Sequence, residues 1–100
     1  MNNSTIVFSV FQSMMPERGN LFNHAQAARD LDEAGLTYEV SEVSFKGVLE
    51  LGFTVQIESV QDYGKLLRTL YKYEQDIVLW TNDKGQGSLA NPYTMKEIEL

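Results

Sequence analysis

Between Thr37 and Ile57 the chain reads TYEVSEVSFKGVLELGFTVQI, two runs of alternating hydrophobicity that meet at Lys46-Gly47. In the second run Leu49, Leu51, Phe53, Val55 and Ile57 are apolar, while Glu50, Thr54, Gln56 and Glu58 are polar. That is the period-two pattern of a strand with one dry face and one wet face. A slip of one residue would turn every apolar side chain to water, so the register is fixed strongly. The two runs therefore read as a β-hairpin. In the first run the parity changes, with Tyr38 and Val40 at even positions and Val43 and Phe45 at odd ones. If all four face the core, an extra residue is needed near Ser41-Glu42, and a β-bulge is expected there.

The flanking segments supply the rest of a small domain. Ile6, Phe8 and Val10 share one parity and Val7 and Phe11 the other, which suits a central strand with two dry faces. Gln12 to Asn20 carries a proline and a glycine, breaks the periodicity and reads as an exposed connection. Asn23, with Gln26 three residues on, makes a capping box for a helix of about three turns through Ala25, Ala28 and Leu31 to Gly35. After the hairpin, Ser59 caps a second helix, with Asp62 near its positive dipole end. Its apolar stripe is Val60, Tyr63, Leu66, Leu67 and Leu70. Ile77 to Trp80 is a short continuous strand. Asn82 to Gly85 is a turn signal, and Gly87 to Ala90 a short last strand.

The expected class is α+β: a ferredoxin-like βαββαβ chain, with a mainly antiparallel sheet, two helices on one face and an extra C-terminal strand. One hundred residues at 43% hydrophobic content suit one core, so residues 1–90 are read as a single domain. Residues 91–100, polar and opening on Asn91-Pro92, read as a loosely held tail. This arrangement leaves the second sheet face open for a partner.

Fourteen acidic against eight basic residues give a net charge of −6, which repels phosphate backbones and anionic membranes. Direct nucleic-acid or membrane binding is therefore not expected. The absence of cysteine excludes disulfides, thiolate catalysis and cysteine-based metal sites. No apolar run approaches the roughly 20 residues needed to cross a bilayer, and the opening MNNSTIVFSVF lacks a basic leader. A soluble cytoplasmic protein is the expectation.

Chemistry-bearing residues are sparse. His24 is the only histidine, and at a helix start the dipole would hold it neutral. One histidine cannot make a triad or a metal cluster, and a surface helix-start role outweighs a catalytic one. Glu39, Glu42 and Glu50 surround the hairpin, and Glu39 and Glu50 share a wet face. A cation site needs more oxygen ligands than that pair supplies. Lys65, Arg68 and Lys72 line one stripe of the second helix, where a solvated outer face is the ordinary reading. The better candidate is the loop 12–23. Met14 and Met15 are adaptable apolar groups, Arg18 adds charge, and the Asn23 helix start offers amides to an anion. Against it stands a plain surface connection whose methionines fold back on the core. No P-loop, dinucleotide fingerprint or serine-hydrolase elbow occurs.

Phe45-Lys46-Gly47, followed by Glu50 and then Phe53-Thr54-Val55, resembles the glycine, acidic residue and Ser-Phe-aliphatic signature of an uncharacterised domain family of bacteria and their phages. Asn23, Ala28, Leu31, Gly35 and the segment Gln75 to Trp80 fall in matching places, so the resemblance spans residues 5–90. It departs at Gly52, where the family usually has serine. The resemblance implies a fold pattern and a phage or bacterial origin, and no reaction. The expected function is a small acidic interaction protein, a phage accessory that binds and modulates a host macromolecule in the host cytoplasm. The alternative is a small-ligand or nucleotide-binding domain using the 12–23 loop. The binding candidates are Met14, Met15, Arg18, Asn23, His24, Lys46 and Glu50. No catalytic set, metal or cofactor is expected, and homodimerisation through an unprotected edge strand stays open.

Overall fold

A computed structural model describes residues 4–45, 47–82, 84, 86–94 and 96. The elements in chain order are β1 (Ser4–Phe8), α1 (Glu17–Ala34), β2 (Tyr38–Phe45), β3 (Val48–Ile57), α2 (Val60–Lys72), β4 (Val78–Thr81) and β5 (Gly87–Ala90). The strands form one sheet in the order β2-β3-β1-β4-β5, and every neighbouring pair is antiparallel. The domain is thus α+β, two helices on a five-stranded antiparallel sheet. β1 is the central strand that its two-sided hydrophobicity predicts, with β3 on one side and β4 on the other.

Alternate residues of the strands seal one face. Ile6, Phe8, Phe53, Val55, Ile57 and Val78 are buried in one cluster with Ala27 and Leu31 of α1 and Leu66 and Leu70 of α2. Both helices must therefore lie on this face, each burying its apolar stripe. The predicted stripe of α2 holds except at its first member, because Val60 stands in the first turn, exposed and clear of the sheet. Ser59 caps as expected: its hydroxyl accepts from the Asp62 amide at 3.1 Å, and Asp62 accepts from the Glu58 amide at 3.1 Å. That is a reciprocal cap that satisfies two orphan donors.

Two expectations need correction. α1 starts at Glu17 after Pro16, with no side-chain cap, rather than at Asn23. The asparagine that organises this end is Asn20, which is buried. Its Oδ1 accepts from the Gln12 amide at 2.8 Å, and its Nδ2 donates to the Gln12 carbonyl at 3.1 Å. A side chain inside the first turns clamps the connection, so the helix needs no cap and runs 18 residues, well beyond three turns. The second correction is the bulge. β2 and β3 pair without interruption from Tyr38↔Val55 to Phe45↔Val48, so Ser41-Glu42 is regular. The parity change is a change of face: Tyr38 and Val40 share the helix-side face and Val43 the opposite one.

The two helices end alike and with different residues. Gly35 takes φ 74° and Glu74 takes φ 56°. In each case the next amide reaches back five residues, Leu36 to the Leu31 carbonyl at 3.1 Å and Gln75 to the Leu70 carbonyl at 2.9 Å. Both are Schellman caps, which place a left-handed residue after the helix. Beyond β5, Pro92 is buried, Tyr63 donates its hydroxyl to the Pro92 carbonyl, and Tyr93 packs edge-on to Tyr71. The start of the expected tail is therefore seated against α2.

Candidate functional site

The face of the sheet away from the helices carries an apolar band that no helix or strand among the described residues covers. One rung joins Glu39, Thr54, Val7, Leu79 and Leu89 across all five strands. Val43 and Ile77 extend the apolar part on either side, and the α2–β4 connection forms a wall. Together they enclose a groove of about 780 Å³. Val7 and Leu89 are half-buried, whereas Ile77 and Leu79 remain 36% and 38% exposed.

Gly52 makes the floor of this groove possible. A Cβ there would come within 2.7 Å of the Phe8 carbonyl oxygen and 2.9 Å of Val43 Cγ2. The space a serine would need is already taken by Val43, which the regular β2–β3 register turns onto this face. The glycine at 52 and the parity change in β2 thus belong to one packing arrangement. Ser9 holds the adjoining backbone, its hydroxyl donating to the Leu51 carbonyl at 2.7 Å and accepting from the Phe11 amide at 3.2 Å.

Carboxylates rim the groove at Glu50, Glu74 and Asp76. Glu74 stands there against its local energetics. The left-handed conformation costs a residue with a Cβ roughly 1 kcal/mol, and a negative charge opposes the negative end of the α2 dipole. Glycine at this cap would avoid both costs. Glu50 pairs with Val43 and Glu39 with Thr54, so these two glutamates share the open face about 13 Å apart along the strands. That separation is too long for them to share a proton or hold one cation. Among the described residues no cluster of three or more histidines and carboxylates could hold a metal.

The loop 12–23 and the first turns of α1 border a shallow, open concavity lined by Met15, Pro16, Arg18, Gly19, Phe22 and Asn23. Met14 is 95% exposed, but Met15 lies back on α1, its Sδ 2.9 Å from where a Gly19 Cβ would sit. Asn23 Nδ2 approaches that sulfur at 3.3 Å. Asn23 and His24 lie two turns inside the helix, where their amides bond intrahelically, so the anion site expected at this point is not formed. Arg18 is exposed beside Met15. His24 is turned inward, correcting its surface helix-start role: its ring stacks on Phe53 at 4.3 Å and meets Phe11 edge-on at 6.2 Å. Burial, rather than the helix dipole, holds its pKa below the usual 6.5. Its Nδ1 is buried without a hydrogen-bond partner among the described residues. Lys46 lies outside the described residues.

The basic stripe of α2 is solvent-exposed, and Lys72 pairs with Asp30 of α1 at 2.9 Å. Tyr73 donates to the same carboxylate at 2.9 Å, so these groups tie the helices together. Of the predicted site residues that are described, only Glu50 belongs to the groove; Met15, Arg18 and Asn23 gather at the first turns of α1, and His24, half-buried, stacks on the core residue Phe53. Val7, Val43, Leu79 and Leu89 are brought together by the strand order, and the one trace of the group in the sequence is the parity change that turns Val43 to this face. No protein-family model matches the chain, and no curated protein sequence matches it.

Proposed function

We propose that the chain is a small acidic interaction protein, a phage accessory that modulates a host macromolecule, and that it engages its partner through the open sheet face. The observation that carries this reading is the uncovered apolar band from Val43 through Val7 to Leu79 and Leu89. Contiguous apolar surface framed by polar groups marks interaction sites more than scattered exposed side chains do. The reading takes the domain as ferredoxin-like, which the order β2-β3-β1-β4 supports, with β5 added at the β4 edge. Affinity capture from bacterial lysate with the native chain and with Leu79→Ser is the test. A partner recovered by the first and lost by the second, with both proteins equally folded, supports the reading. The same recovery with both proteins rejects it.

A small-ligand function moves from the 12–23 loop to this groove, whose volume of about 780 Å³ falls within the range of roughly 300–1,000 Å³ for ligand pockets. A ligand that binds only the folded form must raise its melting temperature. A metabolite and nucleotide screen without any shift at saturating concentrations removes this second reading.

A further inference from the structure

Charge is distributed unevenly between the two layers of the domain. The five strands contain Glu39, Glu42 and Glu50 and neither lysine nor arginine. The groove adds Glu74 and Asp76, and among the described residues no lysine, arginine or histidine lines it. On the helices Arg18, Arg29, Lys65, Arg68 and Lys72 are balanced by Glu17, Asp30, Asp32, Glu33 and Asp62, so the excess of negative charge lies with the sheet and its groove. Whatever seats on the open face meets an apolar floor with negative walls.

The backbone of that floor restricts the shape of the occupant. β3, β1 and β4 are each paired on both sides, so their amides and carbonyls are used within the sheet. An extended peptide laid on this face would find no main-chain partners and would desolvate its own polar groups against Val7 and Leu79. An α-helix brings its backbone hydrogen bonds with it. Building on the interaction reading above, we propose that the groove receives a cationic amphipathic helix of a partner protein. Its apolar stripe covers Val7, Val43, Ile77, Leu79 and Leu89, and flanking lysines or arginines reach Glu50, Glu74 and Asp76. A second copy of this chain is a poor occupant. The apolar stripe of its α2 is already buried in its own core, with Val60 and Tyr71 exposed beside the bases, and α1 offers only the exposed pair Leu21 and Phe22 on a helix whose Glu17, Asp30, Asp32 and Glu33 would meet the carboxylates of the groove.

The probe is a fluorescent Leu/Lys peptide designed to form an amphipathic helix, compared with its Leu/Glu counterpart and with a Leu/Lys version broken by proline. Anisotropy gives affinity, and amide chemical shifts of labelled protein give the site. Expected is saturable binding of the Leu/Lys helix alone, with shifts on Val7, Val43, Leu79 and Leu89 and affinity falling as salt rises. Reversing Glu50 and Asp76 to lysine should weaken binding at least about tenfold. Glu74→Gly should weaken it while raising the denaturation midpoint, since it removes both a carboxylate and a strained residue. Shifts on the helix layer, equal affinity for both charges, equal affinity for the proline-broken peptide, or no binding would overturn the proposal. So would a dimer in solution whose interface shifts map to the groove. If Leu79→Ser loses a lysate partner that the charge-reversed protein keeps, the interaction reading stands and the cationic helix falls.

Discussion

On the helix side of the sheet, Ile6, Phe8, Phe53, Val55 and Ile57 are at most 4% exposed; on the other side, Val43, Val7, Leu79 and Leu89 form a band that solvent still reaches. The same strands supply both sets, one parity apart. The difference lies in what covers them: α1 and α2 bring Ala27, Leu31, Leu66 and Leu70 to one face and nothing to the other. Apolar alternation therefore identifies faces that exclude water only when a partner layer exists, and in this chain one layer is internal. The helix-side residues hold the fold, while the open-side residues are available for something else.

The largest test of this contrast is Phe53→Ala. Phe53 is fully buried beneath Phe8, His24 and Tyr38, and its loss should cost about 3–5 kcal/mol in urea denaturation. A cost under about 1 kcal/mol would mean that the helix side is not the principal core. Next is Gly52→Ser, which drives a side chain into the Phe8 carbonyl and Val43. It should cost about 1–3 kcal/mol. Val43→Ala in the same protein should recover part of that loss, because the alanine vacates the contested space. Additive costs would separate the glycine from the change of face.

A smaller effect distinguishes the faces by pH. Burial lowers the pKa of His24 below 6.5, so the unfolded chain binds its proton more readily than the folded one. Stability from this residue is complete above 6.5 and falls as the pH drops from there through the lower folded-state value. Urea midpoints on either side of 6.5 should show the slope, and His24→Phe should flatten it; an unchanged slope would assign it to the carboxylates. The smallest expected change is Leu79→Ser, within about 0.5 kcal/mol of the native stability. A large loss there would make the open face part of the core and remove its availability for a partner.

Much of this architecture is legible in the sequence, because period-two and helical patterns record burial directly. The hairpin, the Ser59 cap, α2 and both C-terminal strands follow from such patterns. The start of α1 does not, because Asn20 acts on the backbone of Gln12 across a loop, and no local spacing records that contact. The bulge expectation failed for a related reason. Parity reports which face is apolar, and a chain with apolar groups on both faces produces the same slip as an inserted residue. The groove was hidden by the same ambiguity, since its members come from strands far apart in the chain and assemble only through the strand order.

That order also sets a schedule for folding. β1 is made first, yet Val7 must wait for Thr54 and Leu79 before either of its edges is paired. β2 and β3, joined by the tight turn at Gly47, can zip as soon as they leave the ribosome, β1 can then join β3, and the β4–β5 side of the sheet is added last. A nascent chain must therefore carry the two-sided apolar strand β1 unpaired until α1, β2 and β3 have all been made.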